Sequence, residues 1–363
     1  MSHAAAGAPA AARRLVVDLN ATARRWALPA DAERRLREGA PAGWTVEVMQ
    51  TPTRSDGDGG AVPPVAVLEA VAMAEVYFGF GAPPALLEAA PRLRWVQSAA
   101  AGVRSVLSPT LRARVARGEL VLTNAAGVMA APMAEHVVGG VLHFLRGFDV
   151  AARLQRERVW DRNPWVAPEP GGADAAPREL AECRVVIVGV RGVGGAVAER
   201  LTALGARCIG VRRQATGAVP PGFAEVVGAE RLDETLGGAD VLVLAAPSTA
   251  ATDRLLDARR LRLLPAGAIV VNVGRGTLLD ELALAGALEA GRLRGAVLDV
   301  TAEEPLDVAS PLWGMPTVLL TPHVSATSPG RFWDRMLALF VDNWERWVRG
   351  APLRNVVDVD AGY

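Results

Sequence analysis

The stretch from residue 184 to residue 200 constrains the fold more than any other, because it predicts a strand that turns sharply into a helix. The β-branched run 185–188 stops at Gly189, and small residues at helical spacing follow Gly194. Free N–H groups at the start of such a helix can bind a pyrophosphate, and glycines let the backbone approach it. Arg191 replaces the middle glycine of the usual G-x-G-x-x-G pattern, so a tight turn without a ligand remains an alternative on these residues alone.

Short apolar strands alternate with helical segments on both sides of this turn. The alternation predicts an α/β fold with two doubly wound parallel sheets, each covered by helices on both faces. In the first half we predict strands at 14–19, 44–49, 76–80, 95–97 and 120–122. In the second half we predict strands at 185–188, 208–211, 241–244, 269–273, 296–299 and 318–320. An amphipathic, aromatic-rich helix predicted at 329–350 is expected to pack back on the first domain, which would then be discontinuous.

Between the two series the pattern predicts a long apolar helix at 133–148 and then a segment, 148–179, without periodicity. We interpret that segment as an extended arm, a linker or an oligomer contact.

Four segments of the first half carry neither a helix nor a strand pattern. We expect a floppy tail rather than a signal peptide at 1–14 and a polar surface loop at 51–60. The small-residue loops 98–102 and 124–127 follow predicted strands, where ligands of parallel sheets bind. Close packing of helix on strand is an equally good explanation of these two loops.

Composition excludes several classes of function. A length of 363 residues predicts two domains. The chain has 39 arginines and no lysine, and the absence of lysine excludes Schiff-base, pyridoxal-phosphate and Walker-lysine chemistry. The arginines balance 39 acidic residues, so we expect neither nucleic acid nor a membrane as a partner. Cys183 and Cys208 lie in or beside predicted strands without metal-ligand spacing, so we expect buried thiols, no metal site and a cytoplasmic protein.

The end of the second strand of the second series favours NADP(H) over NAD(H). A site that prefers NAD places Asp or Glu about twenty residues after the glycine turn, where the carboxylate bonds the ribose hydroxyls. Arg212 and Arg213 occupy that position here, and paired guanidiniums bind a 2′-phosphate through forked, charge-assisted hydrogen bonds. Two solvated arginines in an arginine-rich chain are the alternative, and use of NAD(H) stays open.

Arg275, Glu304 and His323 each follow the carboxyl end of one of the last three predicted strands. A carboxylate beside a histidine favours the imidazolium form, which suits acid/base catalysis, and a nearby guanidinium can fork onto a carboxylate substrate. His136 and His143 lie on the long predicted helix, where we expect packed residues without a catalytic role.

Together these features resemble the D-isomer-specific 2-hydroxyacid dehydrogenase family, which includes phosphoglycerate dehydrogenase and glyoxylate/hydroxypyruvate reductases. The resemblance covers residues 76–358, and its motifs are Leu93-Arg-Trp-Val-Gln-Ser98, Thr123-Asn-Ala-Ala-Gly127, Ala134-Glu-His136, Pro247-Ser-Thr-Ala-Ala-Thr252, Asn272-Val-Gly-Arg-Gly276, Asp299-Val300, Glu304-Pro305 and Thr321-Pro-His323. It implies a flavodoxin-like substrate-binding domain built from residues 1–128 and 325–363, with an inserted Rossmann NAD(P)-binding domain at 129–324.

The resemblance also implies a role for each site residue. His323 would protonate the carbonyl oxygen of a small 2-oxo acid as hydride arrives, Glu304 would hold its other ring nitrogen, and Arg275 would bind the α-carboxylate. The substrate loop that would help to bind this carboxylate comprises the backbone N–H groups of Ala99, Ala100, Ala101 and Gly102. The implied cofactor contacts are Gly189, Arg191, Gly192, Val193, Gly194, Arg212, Arg213, Pro247, Thr252, Val273, Gly274, Asp299 and Ser325. Members of the family are commonly homodimers joined through the cofactor domain, which fits an arm at 148–179.

Three positions depart from the family pattern. With Arg191 in the glycine turn, either the turn shifts outward or the guanidinium lies along the phosphates of the cofactor. Ala100 stands where glycine is frequent in the substrate loop, and Thr301 replaces an aromatic residue, so both bear on the size of the substrate.

These features predict an NADP(H)-preferring reductase of small 2-oxo acids, of the glyoxylate or hydroxypyruvate type. An NAD(P)-sensing, non-catalytic protein on the same scaffold is the alternative, and Arg191 is the feature that favours it. All three catalytic positions are filled, which argues against this alternative.

Overall fold

The computed structural model describes residues 13–20, 27–55, 60–103, 105–167 and 177–362. Parts of three predicted segments lie outside the described residues: the tail at 1–12, the loop at 56–59 and the arm at 168–176. The chain forms two compact units. Within the described residues, unit 1 runs to Val128 and resumes at Ser328, and unit 2 runs from Met129 to Thr327. The return to unit 1 therefore comes at residue 328, later than the expected residue 325.

The elements follow the predicted alternation of strands and helices. In chain order the strands are β1 (Arg13–Asp18), β2 (Trp44–Val48), β3 (Arg54–Ser55), β4 (Ala61–Val62), β5 (Val76–Gly79), β6 (Trp95–Ser98), β7 (Val121–Thr123), β8 (Arg184–Val188), β9 (Arg207–Arg212), β10 (Glu225–Gly228), β11 (Val241–Leu244), β12 (Ala268–Asn272), β13 (Leu293–Leu298) and β14 (Val318–Leu320). The helices are α1 (Ala30–Glu38), α2 (Val65–Val71), α3 (Pro84–Ala89), α4 (Pro109–Ala116), α5 (Ala130–Leu145), α6 (Phe148–Glu157), α7 (Asn163–Val166), α8 (Val193–Ala203), α9 (Leu232–Leu236), α10 (Ala258–Leu261), α11 (Glu281–Glu289) and α12 (Phe332–Val348).

Unit 1 is built on a five-stranded sheet in the order β2-β1-β5-β6-β7, with every pair parallel. This is a doubly wound order in which the first strand is interior and the chain winds outward from it, first to one edge and then to the other. Helix α12 supplies aromatic side chains to this unit, since the Phe340 ring stacks on that of Phe78 with 4.2 Å between centroids. The centroid of the Trp95 ring lies 5.4 Å from that of the Phe340 ring. The aromatic residues of the last helix are therefore core residues of unit 1, as the amphipathic pattern predicted.

Unit 2 is built on a seven-stranded parallel sheet in the order β10-β9-β8-β11-β12-β13-β14. The chain starts at β8, winds out to β10, and then crosses back to β11 before winding the other way to β14. Between β8 and β11 the direction of winding reverses, and in such sheets ligands bind at this reversal, outside the carboxyl ends of the strands. The predicted fold class, α/β with two parallel-sheet domains, is confirmed.

Alternate residues of β8 explain why helices cover both faces of this sheet. Val185 and Ile187 belong to one buried cluster, which includes Val137 of α5. Val186 and Val188 belong to the other, which includes Leu284 of α11 among its members. An uninterrupted β-branched run therefore buries both faces, which is the reason that parallel strands read as continuous apolar segments.

The structure differs from the sequence-based expectations in several elements. The sheet of unit 2 has an additional edge strand, β10, whose first two residues are only partly buried, so its apolar run is too short to stand out. The segment predicted to lack periodicity begins with helix α6, which buries only Val150 and Leu154 on one face. Helix α5 ends at Leu145, and Gly147, with a φ of +67°, separates it from α6. The predicted loop 51–60 contains β3, which pairs antiparallel with β4 directly after the loop.

Both cysteines, Cys183 and Cys208, are buried free thiols, as predicted. Among the helices of the described segments, we find none with the length and apolarity that crossing a bilayer requires.

Candidate active site

The glycine turn between β8 and α8 is shaped by contacts too close for a side chain. A Cβ on Gly189, whose φ is +100°, would lie 2.6 Å from the Ala245 carbonyl oxygen. A Cβ on Gly194 would lie 1.7 Å from the Gly189 carbonyl oxygen. Gly192 immediately precedes α8, which begins at Val193, and has a φ of +49°. The turn therefore keeps its close packing against the loop after β11 although Arg191 replaces one glycine.

The Arg191 side chain is exposed and forms no hydrogen bond or ion pair with the residues that the structure describes. Arg212 is the last residue of β9, and its Nη2 donates to the carbonyl oxygens of Thr216 and Gly217. Its Nε is buried and has no acceptor among the described residues. Arg213 follows on the surface. The guanidinium of Arg191 thus lies in the glycine turn, and that of Arg212 lies at the end of the next strand. The buried Nε–H of Arg212 has no hydrogen-bond acceptor among the described residues.

The loops after β11 and β12 complete the reversal of the sheet. The Thr252 hydroxyl donates to the Pro247 carbonyl oxygen at 2.8 Å and so closes the loop that follows β11. Val273 is buried, and a Cβ on Gly274 would lie 2.8 Å from the Ala246 carbonyl oxygen. These two loops therefore pack directly against each other, backbone against backbone.

Asn272, at the end of β12, orients the backbone around Arg275. Its side-chain amide is fully buried, accepts a hydrogen bond from the N–H of Gly274 at 3.1 Å and donates to the Arg275 carbonyl oxygen at 3.0 Å. The Arg275 guanidinium donates to the Gly274 carbonyl oxygen at 2.7 Å and is half-buried. A Cβ on Gly276 would lie 1.9 Å from the Thr301 carbonyl carbon, so the backbone after Arg275 touches the loop that follows β13.

Asp299 organises the loop that carries His323. Its carboxylate is 1% exposed and accepts hydrogen bonds from the Thr321 hydroxyl at 2.6 Å and from the N–H groups of Val324 and Ser325 at 2.9 and 3.0 Å. Burial raises the pKa of Asp299, but the hydrogen bonds from this loop lower it by more, so the pKa lies below its ordinary value. The Asp299 carboxylate is therefore an anion at neutral pH that holds residues 321–325 in place.

His323 and Glu304 form the hydrogen bond expected of an acid/base pair. The His323 Nδ1 lies 2.8 Å from Glu304 Oε2, and both side chains are partly exposed. His323 has a φ of +52°, in the left-handed region that an L-residue adopts only under constraint. Its N–H donates to the Asp299 carbonyl oxygen at 2.9 Å, which contributes to that constraint. With Nδ1 engaged by a carboxylate, Nε2 is the ring nitrogen left to exchange a proton with a substrate.

Arg275, Glu304 and His323 follow β12, β13 and β14, which are adjacent and parallel, so all three lie at the carboxyl edge of one sheet. The glycine turn follows β8 at the same edge. The structure thus places on one edge of unit 2 the Arg275 guanidinium, the hydrogen-bonded pair of Glu304 and His323, and the glycine turn. Such a set can bind a small carboxylate and move a proton.

The substrate loop belongs to unit 1, after β6, and its backbone corrects part of the expectation. The N–H of Ala99 donates to the Gly79 carbonyl oxygen at 2.8 Å, and the N–H of Ala100 donates to the Ser98 hydroxyl at 3.2 Å. These two N–H groups already form hydrogen bonds within unit 1, because the loop turns tightly away from the strand. Only the N–H groups of Ala101 and Gly102 have no acceptor among the described residues.

Sequence reasoning missed several side chains that hold the site through hydrogen bonds. Asn272 and Thr321 stood in recognisable motifs, yet nothing in their spacing showed that Asn272 would bind backbone groups and Thr321 the Asp299 carboxylate. The His136 Nε2 lies 3.3 Å from the Thr321 hydroxyl, which places this histidine behind the Asp299 loop. Among the described residues, no group of three or more His, Cys, Asp or Glu side chains has the arrangement of a metal site.

Comparisons with known proteins define the class. A family profile described as D-isomer specific 2-hydroxyacid dehydrogenase, NAD binding domain, matches residues 138–325. Glyoxylate/hydroxypyruvate reductase A of Salmonella newport is 34% identical over 290 residues, which cover 77% of this chain and 85% of that protein. A D-isomer specific 2-hydroxyacid dehydrogenase from Xanthobacter autotrophicus, solved with NADPH and MES, has a TM-score of 0.74 at 29% identity, covering 98% of this chain and 100% of the other. An NADPH-dependent glyoxylate/hydroxypyruvate reductase from Sinorhizobium meliloti, solved with NADP and sulfate, has a TM-score of 0.75 at 29% identity, covering 97% and 100%.

The fold, the edge of polar groups and these matches identify an NAD(P)-dependent oxidoreductase. The chain belongs to the D-isomer specific 2-hydroxyacid dehydrogenase family. The family resemblance, the enzyme class and the NAD(P) cofactor predicted from the sequence are confirmed. The alternative of a non-catalytic sensing protein is not favoured by these relatives.

The residues of unit 2 fit a dinucleotide. The cradle at Gly189 and Gly194 leaves backbone bare where a Cβ would collide with carbonyl groups. The buried Nε of Arg212 lacks an acceptor among the described residues, and an anionic group at the end of β9 would satisfy it.

Proposed function

We propose that the protein is an NADPH-preferring reductase of small 2-oxo acids, of the glyoxylate or hydroxypyruvate type. The observation that carries the proposal is the 2.8 Å pair of His323 and Glu304 on the strand ends next to Arg275. The relatives named as glyoxylate/hydroxypyruvate reductases support the substrate class.

In this proposal each residue at the edge of the sheet has one task. Arg275 binds the carboxylate of the 2-oxo acid through its guanidinium and fixes the orientation of the carbonyl group. His323 donates the proton on Nε2 to the carbonyl oxygen, and Glu304 keeps the imidazolium form stable through Nδ1. The nicotinamide of the bound cofactor would supply the hydride. In unit 1, the N–H groups of Ala101 and Gly102 are the proposed donors to a substrate carboxylate.

Cofactor binding is assigned to the glycine turn and to the end of β9. Residues Gly189 to Gly194 would hold the pyrophosphate, with the Arg191 guanidinium contributing charge where bare backbone is usual. Arg212 and Arg213 would bind the 2′-phosphate, and the other proposed contacts are Pro247, Thr252, Val273, Gly274, Asp299 and Ser325. The buried Nε of Arg212, which has no acceptor among the described residues, supports the preference for NADPH.

Unit 2 also presents a surface suited to a second copy of the chain. Four apolar side chains of α6, α7 and the turn between them are exposed, and we call them the arm patch: Phe148, Val159, Trp160 and Val166. The Trp160 side chain is fully exposed. Exposed large apolar side chains along one segment are typical of protein–protein contacts, so we propose a homodimer joined through the arm patch. The buried free thiols support a reducing, cytoplasmic location.

Steady-state kinetics test the proposed reaction. Purified protein should oxidise NADPH with glyoxylate or hydroxypyruvate, and with NADH more slowly, whereas an aromatic 2-oxo acid should be a poorer substrate. The variant His323→Asn should bind NADPH as the wild type does in a fluorescence titration, and should lose about 10²- to 10⁴-fold in kcat. Tight NADPH binding without turnover of any 2-oxo acid, at micromolar enzyme, would show that the proposal is wrong and that the protein is a sensor.

A further inference from the structure

Glu281 connects two loops of the candidate active site. It is the first residue of α11, directly after Asp280, whose side chain caps the helix by accepting from the N–H of Ala283 at 3.0 Å. The Glu281 Oε1 accepts a hydrogen bond from the N–H of Ala302 at 2.6 Å. Ala302 lies in the loop after β13, so this bond ties the start of α11 to a loop from a different strand.

The loop after β13 also places the Glu304 carboxylate against the His323 ring. The N–H of Thr301 donates to Glu304 Oε1 at 3.2 Å, while the other carboxylate oxygen of Glu304 holds the His323 ring at 2.8 Å. The consecutive N–H groups of Thr301 and Ala302 therefore donate to two different carboxylates. A rotation of this backbone would break the bond to Glu281 and move the one to Glu304 at the same time.

Arg275 depends on the same peptide group. A Cβ on Gly276 would lie 1.9 Å from the Thr301 carbonyl carbon and 2.3 Å from the Ala302 nitrogen, so only bare backbone fits there. The peptide that Glu281 holds is thus in contact with the segment that follows the proposed carboxylate anchor and also with the acid/base pair.

The surroundings of Glu281 are acidic. Burial raises the pKa of Glu281, and the neighbouring carboxylates of Asp280, Glu303 and Glu304 raise it further, while the hydrogen bond from Ala302 lowers it. The net effect is a raised pKa, and burial is its main cause.

We propose that Glu281 is a positioning residue, which holds Glu304 against His323 through the Thr301–Ala302 backbone. The inference rests on the proposed function, in which His323 is the proton donor. Glu281 makes no contact with substrate in this proposal, and it acts only by keeping the carboxylate and the imidazole aligned.

The four histidines of the chain make a direct test practical, because the His323 ring resonance can be assigned by comparison with His323→Asn. The resonance of its Nδ1 proton, which reports the hydrogen bond to Glu304, is measured by NMR without cofactor or substrate. Glu304→Gln, the reference variant, should move this resonance upfield, because the ring loses its charge-assisted hydrogen bond. Glu281→Ala should move it in the same direction by about half as much, since misalignment lengthens the same hydrogen bond.

Two further variants separate the hydrogen bond from the charge. Glu281→Gln keeps an oxygen acceptor for the Ala302 N–H, and its Nδ1 proton resonance should stay near the wild-type position. Glu303→Ala removes a neighbouring, exposed carboxylate that makes no hydrogen bond to Thr301 or Ala302 through its side chain, and its resonance should also stay there. In kinetics, Glu281→Ala should lower kcat about tenfold with little change in KM for NADPH.

The outcomes separate the positioning role of Glu281 from the acid/base pair. If Glu304→Gln moves the Nδ1 proton resonance and Glu281→Ala does not, the positioning role is wrong while the acid/base pair stands. If Glu281→Gln behaves like Glu281→Ala, the hydrogen-bond route is wrong. If neither Glu304→Gln nor Glu281→Ala moves the resonance, the acid/base pair fails and the proposed function fails with it.

Discussion

At the scale of single residues, the carboxylates of this protein differ in function because they differ in their hydrogen-bond donors. Asp299 is almost completely buried, yet its pKa is lowered by the loop that donates to it, so it works as a fixed structural anion. Glu304 is partly exposed and holds a single imidazole. Asp and Glu carry the same chemical group, so the residue type alone does not distinguish the two roles. The hydrogen-bond donors around each carboxylate make Asp299 the anchor of a loop and Glu304 the partner of His323.

The first prediction concerns the choice of cofactor. Arg212→Asp should weaken binding of NADPH far more than binding of NADH, by about 2–3 kcal/mol or roughly 30- to 150-fold in Kd, because an acid at the end of β9 repels the 2′-phosphate and suits ribose hydroxyls. Fluorescence titration with both cofactors measures this difference.

The matched control is Arg207→Asp, at the exposed beginning of the same strand. It changes the net charge by the same amount and should leave both affinities within about twofold. An equal loss of NADPH and NADH affinity in Arg212→Asp would contradict the 2′-phosphate role.

At the scale of elements, Glu75 joins the first strand to the last helix of unit 1. It precedes β5 and accepts hydrogen bonds from the Arg13 guanidinium of β1 and from the Trp347 Nε1 of α12. The hydrogen bond from Arg13 lowers the pKa of Glu75, burial raises it, and the bond from Trp347 lowers it again, with a lowered pKa as the result.

The second prediction follows from the sign of that shift. Because the pKa of Glu75 is lower in the folded state than in the unfolded chain, the stabilisation is fully present above the unfolded value of about 4.3 and is lost as pH falls through the folded value. Glu75→Gln should therefore lower the free energy of unfolding by about 2 kcal/mol at neutral pH. The difference from wild type should shrink steadily as pH falls below about 4.3.

Denaturant unfolding followed by tryptophan fluorescence measures this difference, since Trp44, Trp95 and Trp344 are buried in unit 1. Glu119→Gln is the matched control, because Glu119 also pairs with an arginine, Arg117, but on the surface. It should show no measurable change. A loss in Glu75→Gln that stays constant down to pH 3 would contradict the linkage.

The same scale shows what the sequence could predict. Continuous β-branched runs such as the one in β8 marked the central strands, because both of their faces are buried. Edge strand β10 was missed, since its partly buried residues need no long apolar run, and helix α6 was missed because it buries only two side chains. In the site, order along the chain was enough to propose Arg275, Glu304 and His323. Glu281 and Asn272 could not be found in this way, because their partners are backbone N–H and carbonyl groups, which every sequence contains.

At the scale of the whole molecule, the arm patch is the feature that bears on assembly. Its fully exposed Trp160 would leave a large apolar ring in water in a single chain. Surface residues of this kind are stabilised when a partner covers them.

The third prediction tests the proposed dimer. The wild type should sediment as a dimer, and Trp160→Glu should sediment as a monomer at micromolar concentration, because a buried, unpaired carboxylate at the contact costs several kcal/mol. Trp313→Glu is the control, since Trp313 is also an exposed tryptophan of unit 2 but lies outside the arm patch. It should stay dimeric. A monomeric wild type, or a dimeric Trp160→Glu, would show that the arm patch is not the interface.

The late return of the chain to unit 1 at Ser328 has a consequence for biosynthesis. A ribosome releases β1 to β7 first, but Phe340 and Trp344, which fill the core beneath that sheet, emerge only after all of unit 2 has been translated. The nascent segment from β1 to β7 therefore keeps an uncovered apolar surface while the cofactor-binding unit already has its complete sequence. Translation of unit 2 begins after that of unit 1, yet unit 2 is the first that can finish folding. The nascent chain is most prone to aggregate until α12 has been translated.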